Sequence, residues 1–189
     1  PLPWLGEQFG GERAFVDLVT EKVALPVIRQ LDAEGTPFIG LLYAGLILTP
    51  AGVKVIEFNA RFGDPETQVV LPRLRTPLSQ LLLAAASGNL EAQPQPEFAD
   101  DVAITVVLAS EGYPEAPQTG RQISGLADAA GIEGVRIVHA ATAGPDAPGG
   151  DLVATGGRVL NVVAVGSDFA DARTRSYEAM GRIGLDGAH

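Results

Sequence analysis

Apolar residues recur at three- and four-residue steps between Gly11 and Glu34: Phe15, Leu18, Val19, Val23, Val27, Ile28 and Leu31. That spacing predicts a helix, and Pro26 inside it predicts a kink or a break into two helices. Gly35-Thr36-Pro37 stops the run. The pattern then changes. Phe38 to Thr49, "FIGLLYAGLILT", is almost continuously apolar, which suits a buried helix or a buried strand. Its Ile, Tyr and Phe content, its glycines and the Pro50-Ala51-Gly52 turn after it favour a strand buried on both faces. Val53 to Phe62 returns as the second strand of a hairpin.

Asp64-Pro65-Glu66 reads as a helix start, with Asp as N-cap, Pro at the first helical position and Glu66 suiting the dipole. This helix is expected to run to about Leu74, shortened or bent by Pro72. Thr76-Pro77 repeats the signature and opens a helix from Leu78 to about Ser87, whose "LLLAAA" is apolar enough to pack between layers. Polar, proline-containing "GNLEAQPQPEFADD" (Gly88 to Asp101) then reads as a linker. Beyond it, strands are expected at Val102 to Ala109, Arg136 to Ala143 and Gly157 to Val165. A final amphipathic helix follows, Asp168 to about Ile183, capped by Ser167 or Asp168. Between them lie glycine- and proline-rich loops, notably Ala143 to Asp151. The fold class is α/β (α+β): a mixed first domain over 1–88, a linker over 89–101, and a smaller, mostly β domain over 102–189.

Composition narrows the functions. With 46% hydrophobic residues among 189, the chain is rich enough in apolar side chains to build a core. No cysteine is present, so disulfides, thiolate chemistry and Cys-ligated zinc are excluded. The net charge of −10 argues against wrapping nucleic acid. No apolar run reaches the ~18 residues of a membrane span, and no signal peptide is legible at the N-terminus. A cytoplasmic location is expected.

The chemistry concentrates in "VIEFNARFGDPETQ", Val55 to Gln68. Alternate strand residues share a face, so Glu57, Asn59 and Arg61 are expected on one side and Ile56, Phe58, Ala60 and Phe62 on the other. A solvated face would show the same alternation. Three features favour a site: the apolar hairpin partner implies burial, Asn is a poor strand former, and the strand runs into a helix N-terminus, where anions are favoured. A carboxylate and an amide oxygen are hard donors suited to Mg²⁺, and the Arg supplies a planar cation for a phosphate or carboxylate. Such a set serves phosphoryl transfer.

At this point the residues carry a resemblance. "EFNARFGDPETQ", the upstream "GLLYAGLILT", and the later blocks "EGYPEAPQTGRQISGL", "VRIVHAAT" and "TGGRVLNVVAVG" resemble, in order and spacing, the phosphoribosylamine–glycine ligases of the ATP-grasp superfamily. The resemblance implies the C-terminal part of an ATP-grasp domain followed by the ligase's closing domain. It also implies Glu57 and Asn59 as ligands of Mg²⁺ (or Mn²⁺), ATP as co-substrate, and glycine and 5-phosphoribosylamine as substrates, joined through a glycyl phosphate. Arg61 would hold a transferring phosphate oxygen or the glycine carboxylate. Asp64 and Glu66 are candidate substrate contacts, with helix cap and first-turn charge as the plainer readings. Family members are over twice as long, so the implied partner is the missing N-terminal half, and the chain alone is expected to make no product. The departures are Thr76-Pro77-Leu78 for Ser-Asp-Leu, and Glu115 and Ala141 where glycines stand. The last two test whether those turns need positive φ. Two other readings remain: another ATP-grasp carboxylate–amine ligase, or a non-catalytic binding module derived from one.

The remaining polar residues read more plainly. Arg158 is a candidate for a sugar phosphate across the domain cleft, against the reading of a strand-end surface Arg. His139 reads as a core or edge residue with one hydrogen bond, Tyr113 as turn packing and Trp4 as a hydrophobic plug. Ser110, Ser124 and Thr155 lack the His–acid company a nucleophile needs.

Overall fold

The structure, a computed structural model, describes residues 7–144 and 151–189. Trp4 and most of the Ala143 to Asp151 loop therefore lie outside the described residues. The chain divides into two compact units, one of residues 1–63 with 79–94 and the other of 64–78 with 95–189.

The first unit contains helix α1 (Glu12–Val19), a π-turn over Thr20–Ala24, and α2 (Leu25–Ala33). Pro26 has no amide hydrogen to give, and the helix takes it within the first turn of α2, directly after the π-turn. A hairpin follows, β1 (Tyr43–Thr49) and β2 (Gly52–Asn59), paired antiparallel with Tyr43 opposite Asn59 and Thr49 opposite Gly52. Its turn is closed by Thr49, whose hydroxyl donates to the Gly52 carbonyl at 2.9 Å. Gly45 faces Glu57 while Leu46 faces Val55, so Ile56 is an extra, bulged residue.

Three expectations are corrected in this unit. The first strand begins at Tyr43, because Phe38 to Leu42 make no ladder. The hairpin is not buried on both faces: Ile47, Val55, Ile56 and Phe58 are exposed, Ile56 at 67%. Helix α4 (Leu78–Ala86), whose residues from Ser79 belong here, buries only Ala84 and leaves Leu83 68% exposed, so it does not pack between layers.

The second unit holds the core. Strands β3 (Val102–Ala109), β7 (Arg158–Gly166) and β4 (Val135–His139) form an antiparallel sheet in the order β3-β7-β4. The expected strand from Arg136 to Ala143 is instead β4 plus a short β5 (Thr142–Ala143), which pairs with β6 (Val153–Ala154). Leu160, Val162 and Ala164, alternating along β7, are fully buried. They pack with α5 (Leu126–Ala130) and α6 (Phe169–Arg182) through Ala129, Ala179 and Met180. Asp168 caps α6, its carboxylate accepting the Asp171 amide at 2.8 Å. Segment 64–78 belongs to this unit: α3 (Thr67–Val70) runs into a 3₁₀ turn, Leu71–Arg73. Residues 89–101 are not free chain. The Arg75 amide donates to the Glu97 carbonyl and the Ala99 amide to the Arg73 carbonyl, at 2.8 and 2.7 Å.

Candidate functional site

Glu57 and Asn59 leave β2 on one face, as strand alternation requires. Asn59 Nδ2 donates to Glu57 Oε1 at 2.9 Å, bringing the two headgroups into contact. Gly45, opposite Glu57, makes room: a Cβ there would stand 3.1 Å from Glu57 Cγ. Glu57 is exposed and Asn59 half-buried. No cluster of three or more His, Cys, Asp or Glu exists among the described residues. Glu57 and Asn59 between them offer one carboxylate and one amide oxygen, oxygen donors of a kind that suits an ion keeping water and substrate oxygens in its shell.

Arg61 departs from the expectation. β2 ends at Asn59, so strand alternation does not carry to Arg61, which sits in a bend and donates Nη1 to the Phe62 carbonyl at 2.9 Å. Asp64 departs too. Helix α3 starts at Thr67 after Glu66, without a side-chain cap, and the Asp64–Pro65 peptide is cis. Asp64 is held instead on both sides: Gln68 Nε2 donates to its Oδ1 at 2.7 Å, and Arg158 Nη2 lies 3.5 Å from its Oδ2. Arg158 Nη1 also donates to the Asp64 carbonyl at 3.2 Å. Two of the substrate-binding candidates, Asp64 and Arg158, are thus neighbours within the second unit. Both are about two-fifths exposed, so the pair itself contributes ~0–1 kcal/mol. Glu66 is exposed, in the turn before α3. The sequence reading missed Gln68, whose signal was its i,i+4 spacing from Asp64.

The plainer residues fall where expected. His139 is exposed on edge strand β4, its Nδ1 2.9 Å from the Thr142 hydroxyl. Buried Ser110 donates to the Gly156 carbonyl at 2.8 Å, a structural bond. The Tyr113 ring packs on Gly157, where any Cβ would collide with it. No described residue other than glycine has positive φ, so neither Glu115 nor Ala141 occupies a position needing glycine, whereas Gly112, at φ 80°, does.

Residues 11–67 match the family model "Phosphoribosylglycinamide synthetase, ATP-grasp (A) domain", and residues 103–189 match "Phosphoribosylglycinamide synthetase, C domain". Phosphoribosylamine–glycine ligase of Leifsonia xyli subsp. xyli is 63% identical over 188 residues, covering all of this chain and 43% of that protein. The Streptomyces coelicolor enzyme of the same name is 50% identical over 190 residues, covering all of this chain and 44% of its own. The crystal structure of phosphoribosylamine–glycine ligase from Thermotoga maritima superposes with a TM-score of 0.69 at 32% identity, over 84% of this chain and 37% of that one. N5-carboxyaminoimidazole ribonucleotide synthetase from the same organism, at 18% identity and a TM-score of 0.55, shares the fold. The chain spans less than half the length of these relatives.

Proposed function

The chain belongs to the phosphoribosylglycinamide synthetase family, and from that premise we propose that it carries the metal-holding strand and closing domain of an ATP-dependent carbon–nitrogen ligase. The complete ligase would join glycine to 5-phosphoribosylamine in purine biosynthesis, in the cytoplasm. The γ-phosphoryl group of ATP passes to the glycine carboxylate, giving glycyl phosphate and ADP. The amine then attacks the acyl carbon, loses a proton and expels phosphate.

The observation that carries this reading is the Glu57–Asn59 contact on β2. These two side chains would hold the ion through a carboxylate and an amide oxygen. When bound, Mg²⁺ or Mn²⁺ offsets the phosphate charge that otherwise repels the incoming carboxylate. One carboxylate and one neutral amide leave the site able to accept phosphates. Arg61 would supply a planar cation for a phosphate oxygen or the glycine carboxylate. Asp64 and Arg158 present adjacent opposite charges, suited to an amine and a phosphate of one substrate, with Glu66 a further acidic contact.

A manganese titration tests the metal assignment. Glu57→Ala and Asn59→Ala are each expected to weaken binding at least ~10-fold, the loss of one charged or polar ligand contact; unchanged affinity in both variants would remove it. Purified chain supplied with ATP, glycine and phosphoribosylamine is expected to yield no product without the rest of the ligase. A chain indifferent to Mg·ATP even with that remainder present would favour a binding module instead.

A further inference from the structure

We propose that the second unit contains a built-in water site, in the seam between segment 67–73 and one face of the sheet. Four buried side-chain atoms have no hydrogen-bond partner among the described residues: Gln68 Oε1, Arg73 Nε, Thr105 Oγ1 and Asn161 Oδ1. Two of them are neighbours on the sheet and the other two belong to one short segment. Thr105 pairs with Val163 and Asn161 with Val107, so both polar side chains lie on the same face of the sheet, diagonal to one another. That face is opposite the one carrying Val162 and Ala164, which pack against α5 and α6. Ala103, two residues before Thr105, shares their face and lines a pocket of about 360 Å³ with Val69, Val70, Arg73 and Phe98. Segment 67–73, which contains Gln68 and Arg73, therefore packs against β3 and β7 on that side.

The donor and acceptor types select the ligand. Gln68 Oε1 and Asn161 Oδ1 only accept, Arg73 Nε only donates, and the Thr105 hydroxyl does both. A cation would meet the Arg73 guanidinium, and an anion would meet two carbonyl-type oxygens. Water gives two hydrogens to the acceptors and takes one from the donor, and buried polar groups are commonly bridged this way. Asn161 is 2% exposed, in the central strand, where an unbonded amide oxygen would be costly. Arg73 is held independently, its Nη2 donating to the Ala99 carbonyl at 2.9 Å, so Nε is fixed in place for such a bridge. The inference stands apart from the ligase reading, since it concerns the seating of segment 67–73 and no step of catalysis.

The sign of one substitution tests it. Thr105→Val keeps the shape and removes the hydroxyl. If water bridges that hydroxyl, the full chain melts at a lower temperature, and Thr105→Ser restores most of the loss. If the hydroxyl is unbonded, Thr105→Val melts at the same or a higher temperature, and the proposal falls. A high-resolution crystal structure of the unmodified chain gives a second, mutation-free reading. Ordered water within hydrogen-bonding distance of at least two of the four atoms is expected. Direct protein–protein bonds or a dry seam would overturn the site.

Discussion

The two units use apolar residues in opposite ways. In the second, β7 buries Val159, Leu160, Val162, Val163 and Ala164 almost completely between neighbouring strands and helices. In the first, an equally apolar hairpin leaves Ile47, Ile56 and Phe58 exposed, and no residue of β1 or β2 is fully buried. The metal candidates Glu57 and Asn59 stand on the thinly packed hairpin, whereas Asp64 and Arg158 stand on the well-packed unit. Stability and the proposed metal chemistry are thus carried by different parts of the chain, and substitutions should separate them.

The largest expected effect lies in the packed unit. Leu160→Ala empties a fully buried position in the central strand and should cost ~2–5 kcal/mol, measured by urea unfolding. Gly125→Ala should come next, at ~1–3 kcal/mol. Gly125 sits at φ 78° before α5, and an added Cβ would run into the Arg182 carbonyl. Asp168→Ala removes the α6 cap and should cost ~1 kcal/mol. Asp171 adds a pH dependence. Its carboxyl is held below the ordinary value of 3.8, first by the Ser167 amide and then by Arg175. The ionised form is favoured by folding, so its contribution is complete above that value and fades as pH falls through the depressed one. Asp171→Asn should flatten the acid limb of the stability curve. The smallest effect is expected from Ile56→Ala on the hairpin, within ~0.5 kcal/mol. A loss comparable to that of Leu160→Ala would mean that the hairpin is covered, and would erase the contrast.

Where local pattern decides the structure, the sequence was legible. Val102 to Ala109 forms the expected strand, and β7 and α6 fall within a residue or two of their expected bounds. Between the two candidate caps, Ser167 and Asp168, it is Asp168 that caps. The pairing of Glu57 with Asn59 also follows from strand periodicity. What failed depends on distant partners. An apolar run such as Phe38 to Thr49 states that burial is favourable but not what supplies it. Asp64-Pro65 has the local signature of a helix start, yet Asp64 answers to Gln68 and to Arg158, ninety-four residues away. Backbone bonds from Arg73 and Arg75 to Ala99 and Glu97 place segment 64–78 with the later strands, and backbone pairing across that distance leaves no mark on side-chain pattern.

The π-turn at Thr20–Ala24 has a consequence for the long N-terminal helical run. One surplus residue in a turn rotates everything downstream by roughly 100° about the axis. Val27, Ile28 and Leu31 are therefore aimed about 100° away from where an unbroken α-helix of the same sequence would put them relative to Phe15 and Leu18. Deleting a single residue between Thr20 and Ala24 would therefore let the run close as unbroken α-helix while its second half keeps its present direction, whereas a deletion elsewhere in the run would turn that half about the axis.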